Sequence, residues 1–435
     1  MTKTQQLLLC LCMGLVQTTL SAQAVYDQID RQANLLESTV IEWRRDLHQN
    51  PELSNREFKT AEKVAAHLKN LGMEVRTGVA KTGVVGILRS GKPGPVVGLR
   101  ADMDALPVVE RVNLPFASKV KGEYRGDPVG VMHACGHDTH VAMLMGAANI
   151  LSSIKNQLTG TVVFIFQPAE EGPPPGEEGG AKLMVEQGLL KDLKIDVIFG
   201  QHISSLTEVG QVTFRPGGQL AAADRYVIKI KGKQTHGSQP WSGVDPVTVA
   251  AQVVLGMQTI VSRQLDLTRE AAVISVGRIS GGVRNNIIPE EVELEGTIRT
   301  LDVDMQKDLH DRLRRTATNI AEASGATAEV EIIKHVPITY NNPELVAKMG
   351  PTIKRVCGED NVTISRAATA SEDFAYFANE IPCFFLSLGG MAKGQDPKTA
   401  PAHHTPDFYI DESGLKLGVR VLTNLVLDYT TKIGK

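Results

Sequence analysis

The segment Met132-His133-Ala134-Cys135-Gly136-His137-Asp138-Thr139-His140 crowds one thiol and three imidazoles into nine residues. Zinc-like ions favour this mix of soft sulfur and borderline nitrogen, and Cys135 bound as a thiolate would lose its proton to the metal. Taken alone, the segment reads equally well as a buried cysteine beside surface histidines. Three further segments decide between the two. Pro168-Ala169-Glu170-Glu171-Gly172 follows an apolar strand with two adjacent carboxylates, whose side chains diverge, so that one can bind metal while the other faces a water. Gly200-Gln201-His202 ends another strand, and Pro401-Ala402-His403-His404-Thr405-Pro406 supplies two more imidazoles on a loop. A paired Glu is usually a solvated turn and a lone His usually structural, but their shared placement behind strands points to a metal centre. The strand at 96–100 also ends in charge, with Asp102 and Asp104. Asp104 reads as a turn or helix-cap acid. Asp102 is the better candidate for orienting a ligating imidazole by accepting its outer N–H.

Those residues need strands to hold them. Between residue 26 and about residue 214, helical periodicity at 60–71 and 140–154 alternates with short apolar strands at 96–100, 161–167 and 197–200. Such alternation predicts an α/β domain, a mostly parallel sheet with helices on both faces, in which ligands gather at the carboxyl ends of the strands. A different rhythm starts near Ala221: strand 225–231, helix 245–263, strands 271–279 and 291–299, helix 302–324 and strand 327–333. This βαββαβ order is ferredoxin-like and complete in itself. It predicts an inserted domain at 219–333 that interrupts a catalytic domain of residues 25–218 and 334–435, the chain closing on a helix at 412–431.

The bulk numbers fit two cores: 435 residues, 42% hydrophobic and 22% charged. A formal charge of −3 and a pI near 6.4 give no basic stripe, so no nucleic-acid partner is expected. Lys3, the apolar run from Leu7 to Val16 and Ser21-Ala22-Gln23-Ala24 read as a secretory signal at 1–24, cleaved after Ala24. The run is shorter than the ~20 residues a bilayer span needs, so an exported protein, periplasmic or secreted and free of the membrane after cleavage, is expected. Cys10 and Cys12 leave with the signal; the remaining Cys135, Cys357 and Cys383 are too few for a disulfide scaffold, and the last two read as core residues that could still pair.

With these residues in view, the chain resembles the aminoacylase/glutamate-carboxypeptidase group of metallopeptidases, in the branch of N-acyl-amino-acid amidohydrolases that includes indole-acetyl-amino-acid hydrolases and hippurate hydrolases. The resemblance runs from about Ile41 to about Leu425. It rests on Arg-Asp-Leu-His-Gln-Asn-Pro-Glu-Leu at 45–53, Leu-Arg-Ala-Asp-Met-Asp-Ala-Leu-Pro at 99–107, Met-His-Ala-Cys-Gly-His-Asp at 132–138 and Gln-Pro-Ala-Glu-Glu-Gly at 167–172. Further segments are His236-Gly237, Asn286-Ile287-Ile288-Pro289, Gly296-Thr297-Ile298-Arg299 and His404-Thr405-Pro406. The resemblance implies two divalent metal ions (zinc, manganese, cobalt or nickel) held by Cys135, His137, Glu171, His202 and His404, with Glu170 as general base and Asp102 as its companion acid. It implies that the inserted domain is a lid and dimerisation domain carrying His236 to an active site, with Asn286 and Arg299 holding substrate, and that the protein is a homodimer. The substrate implied is a small N-acyl amino acid, split at its amide; the nearest rival is a carboxypeptidase or dipeptidase of the same family, and a non-catalytic envelope binding protein is a more distant one. Two departures stand out. Gln201 precedes His202 where leucine is more frequent, and Pro173-Pro174-Pro175 lengthens the loop after the glutamates.

Overall fold

The computed structural model describes residues 3–432, and side chains for 23–431. The signal-peptide reading therefore falls mostly on residues whose side chains lie outside those described. The backbone forms a helix over Lys3–Gln49. Among the described residues no helix is long and apolar enough to cross a membrane.

The chain divides into two compact units: residues 1–214, 342–365 and 380–435, and residues 215–341 with 366–379. The first is built on an eight-stranded mixed sheet in the order Glu74–Val79, Gly83–Arg89, Thr161–Gln167, Val96–Asp102, Val197–Glu208, Cys383–Met391, Val212–Phe214, Val362–Ile364. The four central strands run parallel. Val97–Asp102 and Val162–Gln167 are buried at every position, and since successive side chains point to opposite faces, both faces of these strands are covered. The helices His137–Ser153 and Leu415–Lys432 share one apolar core with the sheet. This is the α/β architecture expected from the alternating pattern.

The second unit has its own core around Tyr226, Ile228, Leu294 and Leu313. Its antiparallel sheet has the order Ala272–Gly281, Glu291–Thr300, Ala222–Lys231, Thr327–Val336, with helices Pro246–Thr259 and Val303–Ala323 between strands in the chain, the ferredoxin-like arrangement. Both helices begin where the sequence says they should. Asp245 accepts the Val247 N–H just ahead of Pro246, and Asp302 accepts the Met305 N–H. The unit is wider than the 219–333 drawn from periodicity. Gly217–Leu220 pairs with Thr339–Asn341, and the Ala221 N–H reaches the carbonyls of Ala368 and Ala370, so 366–379 returns to it after the chain has left.

Candidate metal centre

The site grows from the carboxyl ends of neighbouring strands. Thr161–Gln167 lies beside Val96–Asp102, which lies beside Val197–Glu208, so Glu170-Glu171, Asp102 and His202 emerge side by side. The helix His137–Ser153 starts at Gly136, whose φ of 91° is left-handed and whose Cα hydrogen faces Ile203; a Cβ there would lie 2.3 Å from Ile203 Cγ2. That close approach sets Cys135 and His137 against the strand bearing His202. His404 is delivered by a loop in which it takes a φ of 64°, its N–H bonded to the Ala134 carbonyl at 2.8 Å.

Among the described residues of the first unit, four overlapping sets of donors converge to within 4.8 Å: Cys135, His137 and His202; Cys135, Glu171 and His404; His137, Glu170 and Glu171; and Asp102, His137 and His140. Cys135 Sγ is 3.4 Å from His202 Nε2, His404 Nε2 is 3.1 Å from Glu171 Oε1, and His137 Nε2 faces Asp102, Glu170 and Glu171 oxygens at 3.8, 3.8 and 4.0 Å.

The hydrogen bonds fix which nitrogen of each ring offers a lone pair, because a backbone N–H only donates and a carbonyl only accepts. His137 gives its Nδ1 proton to the Asp104 carbonyl at 2.8 Å, and His202 gives its Nδ1 proton to the Ile203 carbonyl at 2.6 Å. Both thus commit Nδ1 to a carbonyl and turn Nε2 into the cluster. His403 is the reverse: its Nε2 accepts the Ser205 N–H at 3.1 Å, so Nδ1 carries the proton and aims it at Cys135 Sγ, 3.6 Å away. That ring is a donor to the sulfur, and His404 is left as the imidazole with ligand geometry. His140 accepts the Ile203 N–H on Nε2 at 2.8 Å and donates from Nδ1 to Asp102 Oδ1 at 2.5 Å.

The donor set fits divalent cations. His137 Nε2 and Glu171 Oε1 are buried and make no hydrogen bond. Burial pulls the His137 imidazole down, yet Asp102, Asp104 and Glu171 overcome this and lift it to about 10. Burial and the charges of Glu171 and Glu170 push the Cys135 thiol well above its ordinary value. The same negative field favours positive charge where these atoms meet. Burial would raise the Asp102 carboxyl too, but Arg100, His137 and His140 hold it well below the usual carboxylate range; Arg100 Nη1 donates to it at 2.6 Å.

Asp102 and Asp104 differ from their expected parts. The outer N–H of His137 goes to the Asp104 main chain, whereas the Asp102 carboxylate orients His140. Asp104 caps no helix. Its carboxylate accepts the N–H groups of Glu170 and Glu171, each at 3.0 Å, and the Ser54 hydroxyl at 2.7 Å. His140, His403 and Asp104 were visible in sequence only as neighbours of better candidates. Cys135, Cys357 and Cys383 are all free thiols.

In the second unit His236 pairs with Ile287, and the Gly237 N–H bonds the Asn286 carbonyl at 2.9 Å, so these two candidates are neighbours. His236 Nδ1 accepts from the Ser238 N–H at 3.1 Å, leaving the proton on the exposed Nε2. Arg299 lies half-buried on the central strand Glu291–Thr300.

The model of peptidase family M20/M25/M40 matches residues 98–428. The chain belongs to this family. It is 40% identical to thermostable carboxypeptidase 2 of Saccharolobus solfataricus, over 91% of this chain and 97% of the relative, and 36% identical to N-acetylcysteine deacetylase of Bacillus subtilis, over 89% and 96%. Its fold matches the crystal structure of the Bacillus subtilis YXEP protein, a dinuclear metal binding peptidase of family M20, with a TM-score of 0.76 and 33% identity over 91% of this chain and 98% of that one. The M20 chain described here is accordingly a metal-dependent hydrolase of amide bonds with a dinuclear metal centre.

Proposed function

We propose that this M20 hydrolase cleaves the amide of N-acyl amino acids, releasing a carboxylate and a free amino acid. The observation that carries the reading is the convergence of Cys135, His137, Glu171, His202 and His404 with Glu170 at their edge, in a chain 36% identical to a deacetylase of N-acetylcysteine. These five are the metal ligands; sulfur with imidazole suits zinc, cobalt or nickel, whereas manganese would lean on the carboxylates. Two bound ions would polarise the scissile carbonyl and make a water acidic enough to attack at neutral pH.

The protein's own groups do the rest. The Glu170 carboxylate takes the attacking water's proton, and the hydroxide adds to the amide carbon. Glu170 then hands that proton to the departing amine nitrogen. Asp102 keeps its charge and holds His140 and, with it, the strand carrying His202. His236 presents an Nε2–H suited to an oxyanion, and Asn286 and Arg299 suit the substrate carboxylate. Beside Glu171 the first unit has a groove of about 720 Å³ walled by Leu53, Leu106, Tyr124, Pro174 and Pro175. Its cations are engaged: Arg56 is 2.6 Å from Glu177, and Arg125 lies over the Tyr124 ring at 5.3 Å. Such a groove gives an acyl group room beyond acetyl.

Carboxypeptidase action is the second reading, favoured by the 40% identity to a thermostable carboxypeptidase. The N-terminal pattern of Lys3, an apolar run and Ser21-Ala22-Gln23-Ala24 supports export, and the ferredoxin-like unit is the candidate dimerisation element. The test is a panel of N-acetyl and N-benzoyl amino acids and dipeptides, with and without chelator. Chelator-sensitive release of amino acid from the acyl substrates is expected; preference for dipeptides establishes the second reading, and cleavage surviving chelation overturns the metal mechanism.

A further inference from the structure

Glu57 is fully buried and belongs to none of the motifs that carry the chemistry. It precedes the helix Phe58–Asn70 without capping it. Its carboxylate instead crosses to the glutamate turn: Oε1 accepts the Ala169 N–H at 2.9 Å, and Oε2 accepts the Thr82 hydroxyl at 2.5 Å. Ala169 takes a left-handed φ of 51°, which an L-residue with a Cβ adopts only when its surroundings require it. The next two N–H groups, of Glu170 and Glu171, go to the two oxygens of Asp104. Three successive backbone donors are thus captured by two buried carboxylates, an anion nest filled by the protein's own side chains. Burial and the nearby Asp104 charge push the Glu57 carboxyl up to about 7, so this group stands where its charged form is costly. Thr82 alone would be satisfied by any acceptor. Only the strained turn uses the carboxylate's reach.

We propose that Glu57 is a positioning residue: by holding the Ala169 N–H it fixes the left-handed turn that makes Glu170 and Glu171 diverge, one toward the water and the other toward the metal. This rests on Glu170 acting as the base. A displacement of about 1 Å in a catalytic group can lower turnover about a hundredfold. In Glu57→Ala the N–H is released and Ala169 can relax out of its strained φ. In Glu57→Gln the amide oxygen still accepts from Ala169 and the amide NH2 can donate to the Thr82 oxygen.

The test compares metal-loaded wild type, Glu57→Ala, Glu57→Gln and Thr82→Val on an N-acetyl amino acid, measuring kcat, KM and bound metal per chain. Expected are a ten- to hundredfold loss of kcat in Glu57→Ala with KM within threefold, near wild-type turnover in Glu57→Gln, and a smaller loss of kcat alone in Thr82→Val. Wild-type kcat in Glu57→Ala, a loss in Glu57→Gln as large as in Glu57→Ala, or an effect confined to KM overturns the proposal. If Glu57→Ala does not fold, Glu57→Gln and Thr82→Val still decide: lowered kcat in Glu57→Gln, or unchanged kcat in Thr82→Val, refutes it. Full activity of Glu170→Gln would instead remove Glu170 as the base, whatever the Glu57 variants do.

Discussion

Arg44 and His48 stand one turn apart on the helix Lys3–Gln49 and carry a buried charge network to the metal-bearing turn. Arg44 Nε lies 2.8 Å from Asp138 Oδ2, both side chains being essentially inaccessible, and the N–H does not point along that line, so the contact is Coulombic. His48 Nδ1 is 2.9 Å from the same oxygen, and its Nε2 is 3.2 Å from Glu110. Asp138 directly follows His137, a proposed ligand, so this network anchors the start of the helix that presents it. In Arg44→Met the length and apolar stem survive and the cation is lost. Glu412, the other partner of Arg44, keeps Arg45 at 2.6 Å; the loss therefore falls on Asp138, which keeps only His48. Removing one partner of a buried pair costs about 3–5 kcal/mol, and the remaining imidazole puts the expectation near the lower end, about 3 kcal/mol.

The pH dependence has a fixed sign. Burial alone would raise the Asp138 carboxyl, but Arg44 and His48 hold it far below its ordinary value. A carboxyl so depressed stabilises the fold above its unfolded value near 4 and loses that contribution only as pH falls further. Without Arg44, burial raises it, and protonation then relieves the variant as pH falls. The gap between wild type and variant should be widest at pH 7 and narrow toward pH 4. The chain has two tryptophans, Trp43 and Trp241. Trp43 stands edge-on to His67 at 4.8 Å in the first unit, so in a Trp241→Phe background its fluorescence follows that unit alone during urea unfolding of metal-free protein. A gap under 1 kcal/mol at pH 7, or one that widens as pH falls, refutes the reasoning. Arg44→Met/Asp138→Asn should recover part of the loss, since no charge is then left buried.

Glu170→Gln should lower kcat by about a hundredfold or more while bound metal stays at the wild-type level, measured by steady-state kinetics and elemental analysis. His404→Ala should lose metal, whereas His403→Ala should retain the wild-type metal content, because the His403 lone pair is already spent on the Ser205 N–H; equal metal loss in both would overturn the ring assignment. Chelation should abolish activity and lower the Trp43-reported midpoint, with ions restored at a hundred times Kd returning about 2.7 kcal/mol per site.

Much of the proposed site is legible in the sequence because side chains able to bind metal are chemically conspicuous. Cys135, His137, Glu171, His202 and His404 stand out by type, and the apolar strands ahead of Glu170, His202 and Asp102 can be read from pattern. What supports them is ordinary. Asp104 looks like any turn acid, Glu57 like any charge at a helix start, and Arg44 like one of many surface arginines; only the strand and turn contacts show that each is buried against a ligand-bearing segment. Strand lengths are less legible. The strand seen at 197–200 continues to Glu208 through polar residues, because Cys383–Met391 pairs with it along most of that length, and pairing of this kind leaves no local mark. The return of 366–379 to the second unit is hidden for the same reason.

The order of strands explains why residues so far apart in the chain meet at one place. Glu171 follows, Asp102 ends and His202 lies within three strands that are consecutive in the sheet and parallel, and the pairing of Arg100 with Gly200 sets His202 level with Asp102, so the three meet along one row. A sequential meander of the same segments would alternate directions and send successive ends to opposite edges. The parallel order requires crossovers, and one of them is the helix His137–Ser153, whose N-terminus arrives on that same row and carries His137, with Cys135 just ahead of it. Its positive end opposes binding of a cation there. The carboxylates of Asp102, Glu170 and Glu171 around His137 reverse that field, so the acidic residues beside the ligands set the sign of the site as well as its chemistry.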